Sequence, residues 1–418
     1  MTFRRFASIA GLLGCAWAST AMSQSFVDIP QAAPDSDIQP GFDVFAGAGA
    51  TYDDNLYRLP ATFALPPAAF GTASRADHVE DVAAGLTDRA VSDRQNFAFD
   101  LHVSHDRYAR NSDLDNTSGN GSLLWNWGLT SLWSGQLGAD YSRALVNFAN
   151  TREFQRDLLD TAALQGSVRF EPGPRWSAIA SVQNADTSHS LDTAAAQDSH
   201  VTSGAFGAEF APADTSTVEL EYRYTRAKFP NAPASGAAQG DFDESTTLLL
   251  LDWEPSAQTK FAANAGYLKQ SYLTATLSPY AGDVWHASLT WTPDELTRVV
   301  LAASRDLSAY VGAASEYFVD QGRSVAAIWT PRASFSLTFA FSWDDQDYLP
   351  GADQLATGTA EEYLQRRDQV RSQRVALAYT PRDWLEADLG FRLEQRASND
   401  ANFAYHDRTF NVGVKISL

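Results

Sequence analysis

Cysteine is nearly missing from this sequence. Among 418 residues Cys15 is the only one, and it lies in the N-terminal leader, so a processed chain would carry no thiol. That excludes a disulfide framework and any cysteine-based metal site. Basic residues are also in short supply: 31 Lys and Arg stand against 51 Asp and Glu, a formal charge of −20. A surface of that sign gives no footing for nucleic acid, and none for binding anionic lipid by overall charge alone. Long apolar runs are missing too. After residue 25 no stretch of about 18 apolar residues exists, which excludes a helical membrane protein.

The N-terminus is the exception. MTFRR supplies two positive charges, Phe6 to Trp17 a short apolar core, and STAMSQ the small residues that suit signal-peptidase cleavage. Residues 1–23 therefore read as a signal peptide, and loss of Arg4 and Arg5 with it takes the charge from −20 to −22. Leu12-Leu13-Gly14-Cys15 has the form of a lipoprotein box and offers a rival processing signal. Residues 24–40 form a short proline-rich periplasmic segment with no room for a plug or chaperone-like module. That leaves residues 41–418 as one unit.

What fills that unit is alternation. Ala333 to Trp343 reads ASFSLTFAFSW, in which Phe335, Leu337, Phe339, Phe341 and Trp343 alternate with small polar residues. Such a period of two marks a strand with two chemically different faces. In Val218 to Arg226 the apolar set Val218, Leu220, Tyr222 and Tyr224 opposes Glu219, Glu221 and Arg223. In Leu385 to Arg396 the set Leu385, Ala387, Leu389, Phe391 and Leu393 opposes Glu386, Asp388, Arg392, Glu394 and Arg396. A soluble sandwich cannot bury the charged face, whereas a transmembrane barrel turns it to a hydrated lumen and the apolar face to lipid.

A repeat organises these strands. RFEPGPRW, EFAPADTS, DWEPSAQT, TWTPDELT, IWTPRASF and AYTPRDWL each place an aromatic two residues before a proline: Pro172, Pro212, Pro255, Pro293, Pro331 and Pro381. Proline cannot donate to a ladder but suits the first corner of a tight turn, so each site should end one strand and open the next. Weaker turns are expected near Asp88–Ser92 and Gly128–Ser131. The spacing equals two strands and one longer connection, which predicts an antiparallel transmembrane β-barrel of about 18 strands (16–18). Its short turns should be periplasmic, its longer loops extracellular, and the repeated aromatics an interfacial girdle. The last strand, Phe410 to Leu418, has the alternation read by barrel-insertion machinery, with Leu in place of the usual final Phe.

No catalytic constellation emerges. The seven histidines are scattered, with His102 and His105 on opposite faces of one predicted strand, and no nucleophile elbow accompanies them. The acid clusters Asp53-Asp54 and Asp344-Asp345-Asp347 match no calcium loop and read as solvated charge. The chain is expected to be no enzyme and to need no cofactor or metal. Candidate pore-lining residues are Glu219, Glu221, Arg223, Glu386, Asp388, Arg392 and Glu394. The longest predicted loops run from Asn55 to Asp77 and from Tyr348 to Tyr363. The first is unusually apolar and either constricts the pore or lies on its rim.

Ala48 to Pro60, AGATYDDNLYRLP, resembles the N-terminal signature of the EpsL-type outer-membrane proteins of exosortase-associated exopolysaccharide loci. The resemblance implies an outer-membrane channel that exports an exopolysaccharide chain in a Gram-negative cell. Its implied partners are outer-membrane lipid, barrel-insertion machinery and inner-membrane polysaccharide synthesis and export proteins. By position, Tyr52, Asp53, Asp54, Asn55 and Arg58 match the motif, with structural or pore-mouth roles. The residues alone leave open a second reading, a general or substrate-selective porin for small solutes.

Overall fold

The computed structural model describes residues 41–63, 74–151, 154–232, 240–273, 279–312, 315–350 and 365–418. The leader, Cys15 and the segment 24–40 lie outside them, as do most of the apolar stretch after Ala61 and the loop beyond Pro350. Eighteen strands follow one another in chain order. They are β1 (Gly41–Asp53), β2 (Asp77–Ser92), β3 (Gln95–Tyr108), β4 (Asn116–Gly128), β5 (Trp133–Leu145) and β6 (Leu158–Phe170). Next come β7 (Trp176–His189), β8 (Ser199–Ala213), β9 (Ser216–Lys228), β10 (Phe242–Ser256), β11 (Thr259–Tyr272) and β12 (Tyr280–Asp294). The set ends with β13 (Thr297–Gly312), β14 (Ser315–Arg332), β15 (Phe335–Pro350), β16 (Arg367–Arg382), β17 (Leu385–Ser398) and β18 (Tyr405–Ser417).

Each strand pairs antiparallel with its sequence neighbours, and β1 pairs with β18 from Phe45↔Ser417 to Asp53↔Thr409. The sheet is therefore a closed barrel of 18 strands with no open edge, the arrangement that satisfies backbone polar groups in lipid. Among the described residues no helix is long and apolar enough to cross a membrane.

The proline repeat builds one end of this barrel, though not as a turn corner. At Phe210/Ala213, Trp253/Ser256, Trp291/Asp294, Trp329/Arg332 and Tyr379/Arg382 the ladder register shifts, and Pro212, Pro255, Pro293, Pro331 and Pro381 fall inside the shifts. A bulge leaves one residue without a partner, so a missing N–H costs nothing there. Two-residue turns follow, such as Asp214-Thr215 between the paired Ala213 and Ser216. Pro172 differs: it sits in the longer turn between Phe170 and Trp176. The first turn also moves from its expected place: β2 runs on to Ser92 and turns at Asp93-Arg94, where Asp93 adopts φ 49°. Asp tolerates that left-handed conformation, which a two-residue hairpin needs.

The two faces separate as the alternation requires. Phe339, Phe341 and Trp343 are exposed on the outside, as are Leu220, Tyr222 and Tyr224, and Leu389 and Phe391. The girdle at the short-turn end comprises Trp133, Trp176, Trp253, Trp291, Trp329 and Tyr379, with Trp133 packed 4.6 Å from Phe170 and Trp176 4.8 Å from Phe210. The opposite face is polar and concave. Arg169 on β6 reaches past β7 to Glu209 on β8 at 2.6 Å, a span possible only on the inside of the curve. Glycine creates room there: a Cβ on Gly207 would lie 2.0 Å from Glu219 Oε1.

Candidate functional site

The described start of the first long loop folds inward. At the end of β1 the Asn55 side chain replaces the ladder. Its Nδ2 donates to Leu59 O (2.9 Å) and His406 O (2.8 Å), its Oδ1 accepts from Leu59 N (3.0 Å), and its own N–H donates to Asp53 Oδ1 (2.8 Å). That turn swings Arg58 to the inside. Its Nη1 lies 2.9 Å from Asp53 Oδ2 and 3.0 Å from Asp407 Oδ1, with Glu394 Oε1 3.9 Å from Nε. Burial works against the charge, but Asp53, Asp407 and Glu394 outweigh it and raise the Arg58 pKa. Arg58 also adopts φ 53°, a strained conformation costing about 1–3 kcal/mol that persists because the ion pairs and Asn55 over-determine it.

Around this turn the extracellular mouth is packed. Tyr57, Leu59, Leu114 and Phe148 form a buried cluster, with Leu56, Phe63, Tyr108, Leu145 and Phe154 against it. It joins the first loop to the short turn Ser112–Leu114 and to the β5–β6 connection. Tyr57 packs at a tilt 4.9 Å from Phe148 and donates its hydroxyl to Asn111 Oδ1 at 2.9 Å. Burial, Asp77 and Asp113 push its pKa up to about 12, so it stays a donor across the physiological range.

A second set of bonds carries the β5–β6 connection across the lumen. Arg396 Nη1 on β17 donates to Ala149 O (2.9 Å) and Asn150 Oδ1 (2.6 Å), and Arg366 Nη2 reaches the same Oδ1 at 3.4 Å. β17 stands seven strand positions from β6, counting β5, β4, β3, β2, β1, β18 and β17. The far anchor is itself fixed: Arg366 pairs with Asp368 at 2.5 Å and stacks over Tyr348 (4.2 Å) and Phe403 (3.5 Å). Deeper in the lumen lies a recess of about 500 Å³, lined by Phe45, Asp81, His102, Arg374, Asp388 and Arg392 among others.

The sequence-derived candidates distribute unevenly over this architecture. Glu219, Glu221 and Arg223 stand on the inward face of β9, but both glutamates are buried and Glu221 is tied to Arg223 at 2.7 Å. Asp388 and Arg392 line the recess, with Asp388 accepting from Asn411 at 3.1 Å. Glu386, 4.0 Å from Lys415, is more open, and Glu394 is buried beside Arg58 and the Tyr405 hydroxyl, 2.7 Å away. Asp53, Asn55 and Arg58 of the motif come together, Asp54 lies at the edge of the group, and Tyr52 stands apart. Tyr52 faces outward against His78 (4.9 Å), and Asp54 accepts from the Arg408 backbone (2.7 Å).

The acid clusters need correction. Asp53 is buried rather than solvated, and Asp53, Asp54 and Asp407 converge as metal ligands would. The Arg58 guanidinium already occupies the cationic position between two of them. Asp344 is buried on the inward face while Asp345 pairs on the outward one, so alternation splits that trio. Sequence reasoning passed over Arg366, Asp368, Asp407 and Asn150. Inward parity could have found Asp368 and Asp407; nothing in the sequence marks Asn150, whose role depends on where its loop lands. Two of the histidines illustrate wall and rim contacts: His102 stacks on Phe45 at 5.8 Å, and His189 meets Asp198 at 3.2 Å.

Residues 253–418 match the family model described as "Putative beta-barrel porin 2". Among curated proteins nothing matches. Similar solved structures include OccAB3 of Acinetobacter baumannii (7% identity, TM-score 0.48, 90% of this chain and 99% of that one). OccK2 of Pseudomonas aeruginosa, solved with glucuronate, is 9% identical with TM-score 0.47, covering 90% and 98%. OpdK of the same organism is 10% identical with TM-score 0.46, covering 90% and 99%.

Proposed function

We propose that this barrel is a substrate-selective outer-membrane channel for small polar solutes. The observation that carries the reading is the Arg396–Asn150 bond, which holds a loop across the lumen at the extracellular mouth. A barrel of 16–18 strands would otherwise leave a wide aqueous passage. Here that passage is narrowed by side chains buried at two independent anchors, Arg58 and Arg396. Narrowing suits a solute that passes singly, and the charged wall beneath favours polar ones. The partial match to a porin family supports the same reading. Liposomes carrying the purified protein should swell in small sugars or amino acids and resist oligosaccharides; equal permeation of both would remove it.

Export of an exopolysaccharide is the second reading, favoured by the resemblance of Ala48 to Pro60. It requires both loops to unlatch during transport. Deletion of the gene separates the two: periplasmic accumulation of polymer supports export, and loss of small-solute uptake with normal polymer supports the porin.

A further inference from the structure

The lipid-facing belt has a gap on one side of the barrel. On β15 it is apolar from Phe335 through Leu337, Phe339 and Phe341 to Trp343. On the adjoining β16 the outward row begins Tyr379, Leu377, Val375 and then turns polar with Gln373, Arg371 and Gln369, all exposed. Register places the change within the belt, since Gln373 pairs with Phe341 and Arg371 with Trp343. On the other side of Trp343, Arg323 of β14 occupies the same row, and beyond Arg371 comes the exposed Gln395 of β17. Two guanidinium-bearing residues thus flank one tryptophan, about 10 Å apart across two strand spacings.

A lipid-facing arginine is destabilising in proportion to its depth, so a belt that keeps two needs a partner for them. Two of the neighbouring acids serve other arginines: Asp347 pairs with Arg367 at 3.4 Å and Asp283 with Arg305 at 3.5 Å. Asp345, two residues beyond Trp343 on the same outward row, stands opposite Gln321 and Gln369 in the ladder, and among the described residues no ion pair joins it to Arg323 or Arg371. The formal charge of −20 argues only against docking driven by the whole surface; it says nothing of a local row. A second copy of this chain fits poorly, because a symmetric contact centred here would press arginine on arginine.

We infer that Arg323, Trp343 and Arg371 form a binding site for the phosphorylated head group of an outer-leaflet glycolipid, with Gln373 and Gln395 available to its sugar hydroxyls. Guanidinium forks match phosphate oxygens, and tryptophan prefers the interface where one edge is apolar and the other wet. The site is independent of what passes through the lumen.

Native mass spectrometry on the full barrel in mild detergent tests it, using lipid A with two phosphates and the same lipid after phosphatase treatment. The wild type should retain the phosphorylated form roughly 10- to 30-fold better, and the Arg323→Gln, Arg371→Gln double variant should lose most of that preference. The wild-type comparison stands by itself should the variant fail to assemble. Equal retention of both lipids by the wild type, an unchanged preference in a folded variant, or a protein dimer at this face in place of lipid would overturn the assignment.

Discussion

Arg396 on β17 and Asn150 in the β5–β6 connection meet at 2.6 Å, although 246 residues and much of the lumen separate their strands. The Arg396 side chain is fully buried, and Asp368 Oδ2 lies 3.7 Å from its Nε. Removing the arginine would take away its bonds to both Ala149 and Asn150 and its longer contact with Asp368, which keeps Arg366 at 2.5 Å. Asn150→Ala is the gentler probe: it deletes hydrogen bonds worth about 1–3 kcal/mol and leaves the charges matched. The barrel should assemble, and protease should then cut the β5–β6 connection faster on intact cells. Unchanged protection would mean that the loop is held by other contacts.

Arg58 anchors the other loop. Arg58→Ala leaves Asp53 without its cation, and Asp407 and Glu394 with Arg392 alone among the described residues, at 3.7 Å, and should destabilise the mouth by about 3–5 kcal/mol, read as loss of heat-modifiable mobility or of surface expression. Arg58→Lys keeps the charge without the fork and should fall between. Arg58 itself stays charged over the physiological range, because the neighbouring carboxylates raise its pKa further from neutrality.

The two-faced wall predicts an asymmetry between neighbours. Phe339→Arg places a charge in the lipid belt and should cost about 2–4 kcal/mol of barrel stability. Thr338→Arg, one residue earlier, points inward and should assemble close to normally. Equal tolerance, measured as folded fraction in urea-titrated liposomes, would contradict the assignment of faces.

Orientation follows from the proline bulges. Cysteines at Ala213 and Ser256, beside two-residue turns, should be protected from an impermeant thiol reagent on whole cells, while one at Ala401 in the β17–β18 loop should react. The reverse pattern would invert the barrel.

Much of this barrel was legible in the sequence. Strict alternation in Phe335 to Trp343 and Leu385 to Arg396 follows from pleating, and a one-residue slip would put glutamates into lipid. The aromatic-x-Pro repeat located the short-turn end, while the detail that proline occupies a bulge depends on how the ladder accommodates a missing donor. The motif around Asp53 to Arg58 pointed at the mouth, yet its packing against Phe148 and Asp407 joins residues far apart in the chain. Burial of Glu219 and Glu221 was equally hidden, since parity assigns a face but not its depth. Asn150 had no local signal at all.

Single-channel conductance in planar bilayers tests the latched-mouth account most directly. Wild-type protein should show small, steady openings, and Asn150→Ala should raise the conductance or add large flickering openings as the β5–β6 loop leaves the lumen. A wild type that already conducts like an open pore of this strand number, with no change in the variant, would contradict it.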